Sequence, residues 1–309
     1  MKPTPEELQQ IVDEVYAAAR KESGGEVASY IPELGKADAN HFGISICDLD
    51  GGLMHAGDTD HPFTIQSISK VITYACALET CDREAIDQRV DIEPTGEDFD
   101  SIIKLDRHQR PFNPMVNAGA IAITDLLLSR FGKNALGATL EFYARLLGRA
   151  DLEIDEKVFN SEVSTGKKNL ATANLLKHFS LLDNEVDDVI ELYCRHCSVL
   201  VTAVDLARLG ANLARAGGHG LFSRPDTCRH VLSVMMTCGM YNDAGQWALD
   251  VGYPAKSGIS GGMTASVPGR MGVGVFSPPV NELGSSVRGW AANRLISSKL
   301  GLHLFTCKE

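Results

Sequence analysis

A mixed α/β (α+β) fold is predicted by the order of patterns along this 309-residue chain: an antiparallel sheet built from both chain ends, flanked by helices, with a mostly helical middle. Three observations carry that prediction. A hairpin signal lies near the N-terminus, a β-rich stretch begins at Gly258, and helical periodicities dominate residues of about 82–246 between them.

Each element has its own signal. Thr4-Pro5-Glu6-Glu7 reads as a helix start, with a capping Thr, Pro at the first helical position and acids in the first turn. Leu8, Ile11, Val12, Val15 and Ala19 then recur at helical spacing until Gly24-Gly25. Gly43 to Leu49 reads as a strand, Asp50-Gly51-Gly52 as a turn, and Leu53 to Ala56 as the returning strand. From Thr64 to Leu78 nearly every residue is small or apolar, which predicts a buried helix. Ala118 to Leu128 and Thr202 to Ala216 are the clearest helices of the middle, the second opened by a capping box of Thr202 and Asp205. Met271 to Phe276 alternates as a strand does, and a last helix is expected to carry Val287, Trp290, Ala291 and Leu295 on one face.

Composition narrows the function. With 44% hydrophobic and 22% charged residues the chain is of ordinary globular make-up. It contains no linker-like tract and no repeat, so one domain over 1–309 is expected. A net charge of −11 disfavours a nucleic-acid partner, whose phosphates need concentrated Lys and Arg. No apolar run approaches a membrane span, and Met1 to Glu7 is unlike a signal peptide, so a soluble cytoplasmic protein without membrane contact is expected. Eight cysteines without a secretion signal predict free thiols. Cys194 and Cys197 form a lone CxxC; a structural zinc site needs a second pair, so neither metal nor cofactor is expected.

The chemistry is carried by Ser67-Ile68-Ser69-Lys70, which puts a hydroxyl and an amine three residues apart, neighbours on one helix face. Serine attacks only when a base takes its proton, and a lysine does so if burial and a helix N-terminus disfavour its ammonium form. The spacing recurs at Ser101–Lys104 and Ser164–Lys167, so spacing alone decides nothing. Only the Ser67 copy opens a long apolar helix, where a lysine without a function is costly. Ser69 lacks a lysine at the same reach. Lys256-Ser257-Gly258, with further glycines at 261 and 262, resembles the third element of the penicillin-recognising serine enzymes, whose first element is SxxK. Such glycines let backbone amides approach a reacting carbonyl.

Beyond these motifs, several segments resemble the serine-dependent glutaminase family, in order and over nearly the whole chain. They are Ala28 to Leu34, Phe63 to Lys70, Glu93-Pro-Thr-Gly96 with Phe99, Asn113 to Ala120, Ser161-Glu162 with Asn169, Tyr193, Thr237 to Tyr241, and Pro254 to Gly258. The resemblance implies a β-lactamase-like fold and hydrolysis of L-glutamine to L-glutamate and ammonia. Ser67 would be acylated, Lys70 would take its proton, and the tyrosine matching Tyr241 would relay protons. The amides of Ser67 and Ile259 would hold the oxyanion. Tyr30, Asn117, Glu162, Asn169 and Tyr193 match positions that hold the amino-acid end of the substrate, and a homodimer or homotetramer is implied. A free α-amino group suits a carboxylate, and an α-carboxylate suits amide and phenol donors. Lys168, where Arg is common, and His196, where Gln is common, depart from the pattern.

Two other readings compete. A β-lactamase or penicillin-binding enzyme uses the same Ser–Lys logic, but the middle of the chain has no Ser-x-Asn or Tyr-x-Asn triplet, and the chain shows no export signal. A catalytically silent glutamine- or glutamate-binding relative is the other, and retention of Ser67, Lys70, Tyr241 and Lys256-Ser-Gly258 argues against it.

Overall fold

The structure, a computed structural model, describes residues 3–97, 105–215 and 221–306. Thr4 opens the helix Pro5–Ala19 through a closed capping box: the Glu7 N–H donates to the Thr4 hydroxyl and the Thr4 N–H to the Glu7 carboxylate, at 3.2 and 2.8 Å. The helix ends before Gly24-Gly25, and the next residues, Glu26–Val27, pair with Pro279–Val280 near the other end of the chain.

Five antiparallel strands form the main sheet, in the order Leu53–Gly57, Gly43–Asp48, Met271–Phe276, Gly262–Val267 and Ala255–Ser257. Both chain ends therefore build it, as the patterns predict. The first hairpin closes through Asp48, whose Oδ1 accepts the N–H groups of Asp50 and Gly52, both at 2.8 Å, while Gly51 takes φ +92°.

Strand alternation sorts the side chains onto two unlike faces. Ile44, Ile46, Met263, Ala265, Val273 and Val275 share a core with the terminal helices Pro5–Ala19 and Val287–Leu300. The opposite face carries Ser45, Cys47, Thr264, Gly272 and Gly274, all small, and the helix Ala203–Ala214 lies directly on it. A Cβ at Gly272 would meet Ala211 N and Ala207 O, and one at Gly274 would meet Ala203 O, so glycine is what permits this approach. The same helix is capped by Thr202 and Asp205 as the sequence predicts; residue 216, included in that prediction, lies outside the described residues.

On the far side of that helix is the helical part. The helix Ser69–Thr80 is its axis, buried from Ser69 to Leu78 and packed among the helices Asn117–Phe131, Ala135–Leu147 and Thr227–Cys238. One expectation is corrected here. The buried helix begins at Ser69, not Thr64, because Phe63–Thr64 is a short strand paired with Leu200–Val201 and Ile65 donates its N–H to Val199 O at 2.8 Å. On the last helix, Ala291 is buried and Trp290 and Leu295 pack half-buried against the same core, with Gly289, Ala292, Asn293 and Ile296 buried beside them. Asn293 belongs inside because it bonds the buried Tyr253 hydroxyl, at 3.1 Å. No helix among the described residues is long and apolar enough to cross a membrane.

Candidate active site

Ser67 sits in a single 3-10 turn, Gln66–Ile68, wedged between the Phe63–Thr64 strand and the buried helix. Gln66 holds φ +50°, a left-handed conformation that a non-glycine residue keeps only when its surroundings impose it. The Ile65–Val199 bond on one side and the helix on the other impose it here, so the turn presents Ser67 in one orientation. The first turn of a helical run leaves N–H groups without helical acceptors, and the Ser67 N–H is among them. Gly258 packs against this turn; a Cβ there would stand 2.9 Å from Ile65 O, which brings the Lys256-Ser-Gly segment and the following Ile259 alongside.

Lys70, 1% exposed, donates to Ser67 Oγ at 3.1 Å and to Asn117 Oδ1 at 2.6 Å. Asn117, the first residue of its helix, passes the connection on: its Nδ2 donates to Asn169 Oδ1 at 2.9 Å. Tyr241 opens a 3-10 turn at φ +53°, and its ring centroid lies 3.9 Å from Lys256 Nζ and 5.9 Å from Lys70 Nζ. Burial raises the Tyr241 phenol above its ordinary pKa, opposed by a hydrogen bond with Ser67.

Of the expected residues, Ser67, Asn117, Tyr241 and Tyr30 line one cavity of about 520 Å³. Glu162, Asn169 and Tyr193 line it too. Lys70 lies beneath Ser67, and Ile259 packs behind the cavity wall with Ile31, Leu34 and Val158. Glu162 is no solvated loop acid. It is buried on the helix Glu156–Thr165, and its Oε2 has no hydrogen-bond partner among the described residues. Burial pushes this carboxyl up to about 7, while the Lys70 charge and hydrogen bonds from Cys197 and Gln66 pull it down. Tyr193, buried on the helix Val186–Cys197, keeps its phenol protonated for the same dominant reason. Tyr30 contrasts with them: it stands at the mouth, 59% exposed.

Several lining residues escaped the sequence reading. Gln66 and Cys197 flank or join segments already singled out, so adjacency was their only signal. Glu282 and Leu283 come from a turn near the C-terminal end and carried none. Ser69 points elsewhere, its Oγ 3.7 Å from Cys197 Sγ. The Ser164–Lys167 copy of the motif is exposed and split between two helices by Gly166; the Ser101–Lys104 copy and Phe99 lie outside the described residues. Cys47, Cys76, Cys81, Cys194, Cys197, Cys228 and Cys238 are free and buried.

The site therefore joins a buried hydroxyl–amine pair to a pocket with an unsatisfied carboxylate, an arrangement able to activate a serine beside a bound amine. The family model described as Glutaminase matches residues 25–305. A glutaminase of Trichormus variabilis is 44% identical, across 98% of this chain and 92% of its own. Glutaminase 2 of Clostridium perfringens is 43% identical, across 91% of this chain and 94% of its own. Among solved structures, the probable glutaminase ybaS superposes with a TM-score of 0.92 at 37% identity, covering 97% of this chain and 98% of that one. Mglu in its glutamate form superposes with a TM-score of 0.89 at 39% identity, covering 100% of this chain and 71% of that one.

Proposed function

This chain belongs to the glutaminase family, with the β-lactamase-like fold of its structural relatives, and we propose that it hydrolyses L-glutamine through an acyl-enzyme on Ser67 with Lys70 as base. As a member of the family it is an enzyme, an amidohydrolase acting on glutamine. The route is our reading, and the observation that carries it is the 3.1 Å contact between Lys70 Nζ and Ser67 Oγ in a buried pocket.

The amine of Lys70 takes the Ser67 proton as Oγ attacks the γ-carboxamide carbon. The oxyanion forms against the N–H groups of Ser67 and Ile259. Tyr241, beside Ser67, passes a proton to the departing nitrogen and is reprotonated by the Lys70 ammonium, so ammonia leaves an ester on Ser67 and a neutral amine on Lys70. A water molecule, deprotonated by the same amine, then adds to the ester; Ser67 recovers its proton and glutamate departs. At the other end of the substrate, the α-ammonium meets the unsatisfied Glu162 oxygen, and Tyr30, Asn169 and Tyr193 offer donors to the α-carboxylate. Asn117 ties the two ends together, since it bonds both Lys70 and Asn169. The reading keeps one domain over 1–309, a homodimer or homotetramer, and a cytoplasmic place of work, with no cofactor.

The test is ammonia release from L-glutamine, with L-asparagine, nitrocefin and the Ser67→Ala protein alongside. Turnover of glutamine should fall by at least about 10⁴-fold in Ser67→Ala while glutamate still binds. Nitrocefin hydrolysis without glutamine turnover would overturn the reading in favour of a β-lactam-directed enzyme.

A further inference from the structure

Ser69 stands between the nucleophile and its base, and two helices hold it. Tyr143, buried on the helix Ala135–Leu147, donates its hydroxyl to the Ser69 carbonyl at 3.3 Å. Cys197, the last residue of the helix Val186–Cys197, has its Sγ 3.7 Å from Ser69 Oγ. His196, 1% exposed and used by no step of the mechanism above, joins those two helices. Its Nε2 lies 2.8 Å from Thr139 Oγ1, one helical turn before Tyr143. Its ring lies against the Tyr143 ring, with centroids 5.7 Å apart and planes 23° from parallel.

The hydrogen bonds fix the form of the imidazole. The single Thr139 hydroxyl proton goes to the helix carbonyls, with Ala135 O at 2.8 Å and Leu136 O at 3.0 Å. Nε2 therefore carries the proton donated to Thr139, and Nδ1 is the bare nitrogen. Nδ1 is buried without a hydrogen-bond partner among the described residues. A proton there would create a buried charge that nothing accepts, and burial drives the imidazole down to about 3. At neutral pH His196 is thus an uncharged donor of one fixed tautomer.

We propose that His196 is a positioning residue for the Ser67–Lys70 pair: by tying Thr139 to the helix that carries Cys197, it keeps Tyr143 and Cys197 closed on Ser69 and so keeps nucleophile and base at their working separation. This inference rests on the proposed roles of Ser67 and Lys70. The chain beyond His196 supports it independently. Two residues after Cys197, the Val199 carbonyl accepts the Ile65 N–H at 2.8 Å, so the segment that His196 anchors grips the Ser67 turn from both sides. His196 itself does not line the cavity, so its influence falls on the reacting pair and not on the grip of the substrate.

The experiment uses the full-length protein with His196→Leu, which removes the donor, His196→Gln, which keeps one, Tyr143→Phe, and the double variant of His196→Leu with Tyr143→Phe. For each, kcat and KM for glutamine are read together with the melting temperature. His196→Leu should lower kcat by about tenfold or more with KM within about threefold of the parent, since only the placement of the pair is lost. His196→Gln should return kcat to within about threefold of the parent. In the Tyr143→Phe background, His196→Leu should cost less than about threefold more, because the clamp on Ser69 is already open. A folded His196→Leu protein with parental kcat would overturn the proposal, as would equal losses in the Leu and Gln variants or losses that multiply independently. If His196→Leu fails to fold, Tyr143→Phe, which removes one hydroxyl, carries the kcat criterion in its place, and parental kcat there would overturn the proposal equally. A parent protein that does not turn over glutamine would sink the functional reading itself; independent losses in an active parent sink only the role of His196.

Discussion

The two walls of the cavity are built on opposite plans. On the inner wall, formed by the Ser67 turn, the helix Ser69–Thr80 and the strand Ala255–Ser257, the two amines are already bonded within the wall, although the Ser257 hydroxyl finds no hydrogen-bond partner among the described residues. Lys70 bonds Ser67 and Asn117, and Lys256 bonds Ser257. On the outer wall, built from the helices Glu156–Thr165 and Lys167–His178 and from the loops at Tyr30 and Glu282, Glu162 keeps a buried oxygen unsatisfied and Tyr30 stands open to solvent. The contrast teaches where each kind of work is done. Groups that must act on a reacting atom are pre-set at a fixed distance, which saves reorganisation at the transition state. Groups that must grip a substrate are left short of a partner that the substrate supplies. Substitutions on the inner wall should therefore fall on kcat, and substitutions on the outer wall on KM.

The sharpest break in that comparison would come from Lys70→Met. Removing the proposed base should lower kcat by roughly 10³-fold while KM moves little, because in the proposed binding mode the amino-acid end of the substrate rests on the other wall. Steady-state kinetics decide it: a main effect on KM would mean that Lys70 holds substrate, and the division between walls would fail.

Second in size is Glu162→Gln, which keeps shape but removes the charge that faces the α-ammonium in the proposed binding mode. An ionic contact of this buried kind is worth about 3 kcal/mol, so kcat/KM should fall roughly 100-fold, mostly through KM. The pH dependence sharpens the point. Burial holds the Glu162 carboxyl near about 7, so acidification below that pH protonates it and removes its attraction for the ammonium. In the parent, kcat/KM should then decline by about tenfold per unit below that point. The Gln variant has no such group and should lose that part of the acid limb; an unchanged limb would show that Glu162 stays ionised and that its unpaired oxygen has another purpose.

The inner wall was also far easier to see in the sequence. Its pair lies three residues apart, and local spacing is what a helical pattern reports, so Ser67 and Lys70 were legible from physics and chain order alone. So were the elements that rest on short-range chemistry: the capping boxes of Thr4 with Glu7 and Thr202 with Asp205, and the hairpin closed at Asp50-Gly51-Gly52. The outer wall gathers Tyr30, Glu162 with Asn169, Tyr193 and Glu282 from four distant stretches, and no periodicity links them. All but Glu282 were named through family resemblance, since a single Glu, Asn or Tyr in such a stretch carries no signal of its own. The misplaced start of the central helix has a similar origin. Apolar content marked Thr64 as helical, but its strand partner, Leu200–Val201, lies more than a hundred residues away, and only the fold reveals that the backbone bonds there run sideways.

The smallest expected effect tests how far the outer wall extends. Glu282 lines the mouth of the cavity and is itself exposed, so water screens it and competes for its charge. Interactions of exposed charges are worth about 0–1 kcal/mol, so Glu282→Ala should change KM by less than about fivefold and leave kcat alone. The same reasoning gives the result a direction in salt: whatever small change occurs should shrink as ionic strength rises, since the Debye length contracts toward the size of a single contact. A KM shift of tenfold or more, insensitive to salt, would mean that Glu282 becomes buried when substrate arrives. The turn that carries it would then belong to the gripping wall, and the boundary between grip and rim would move outward by one loop.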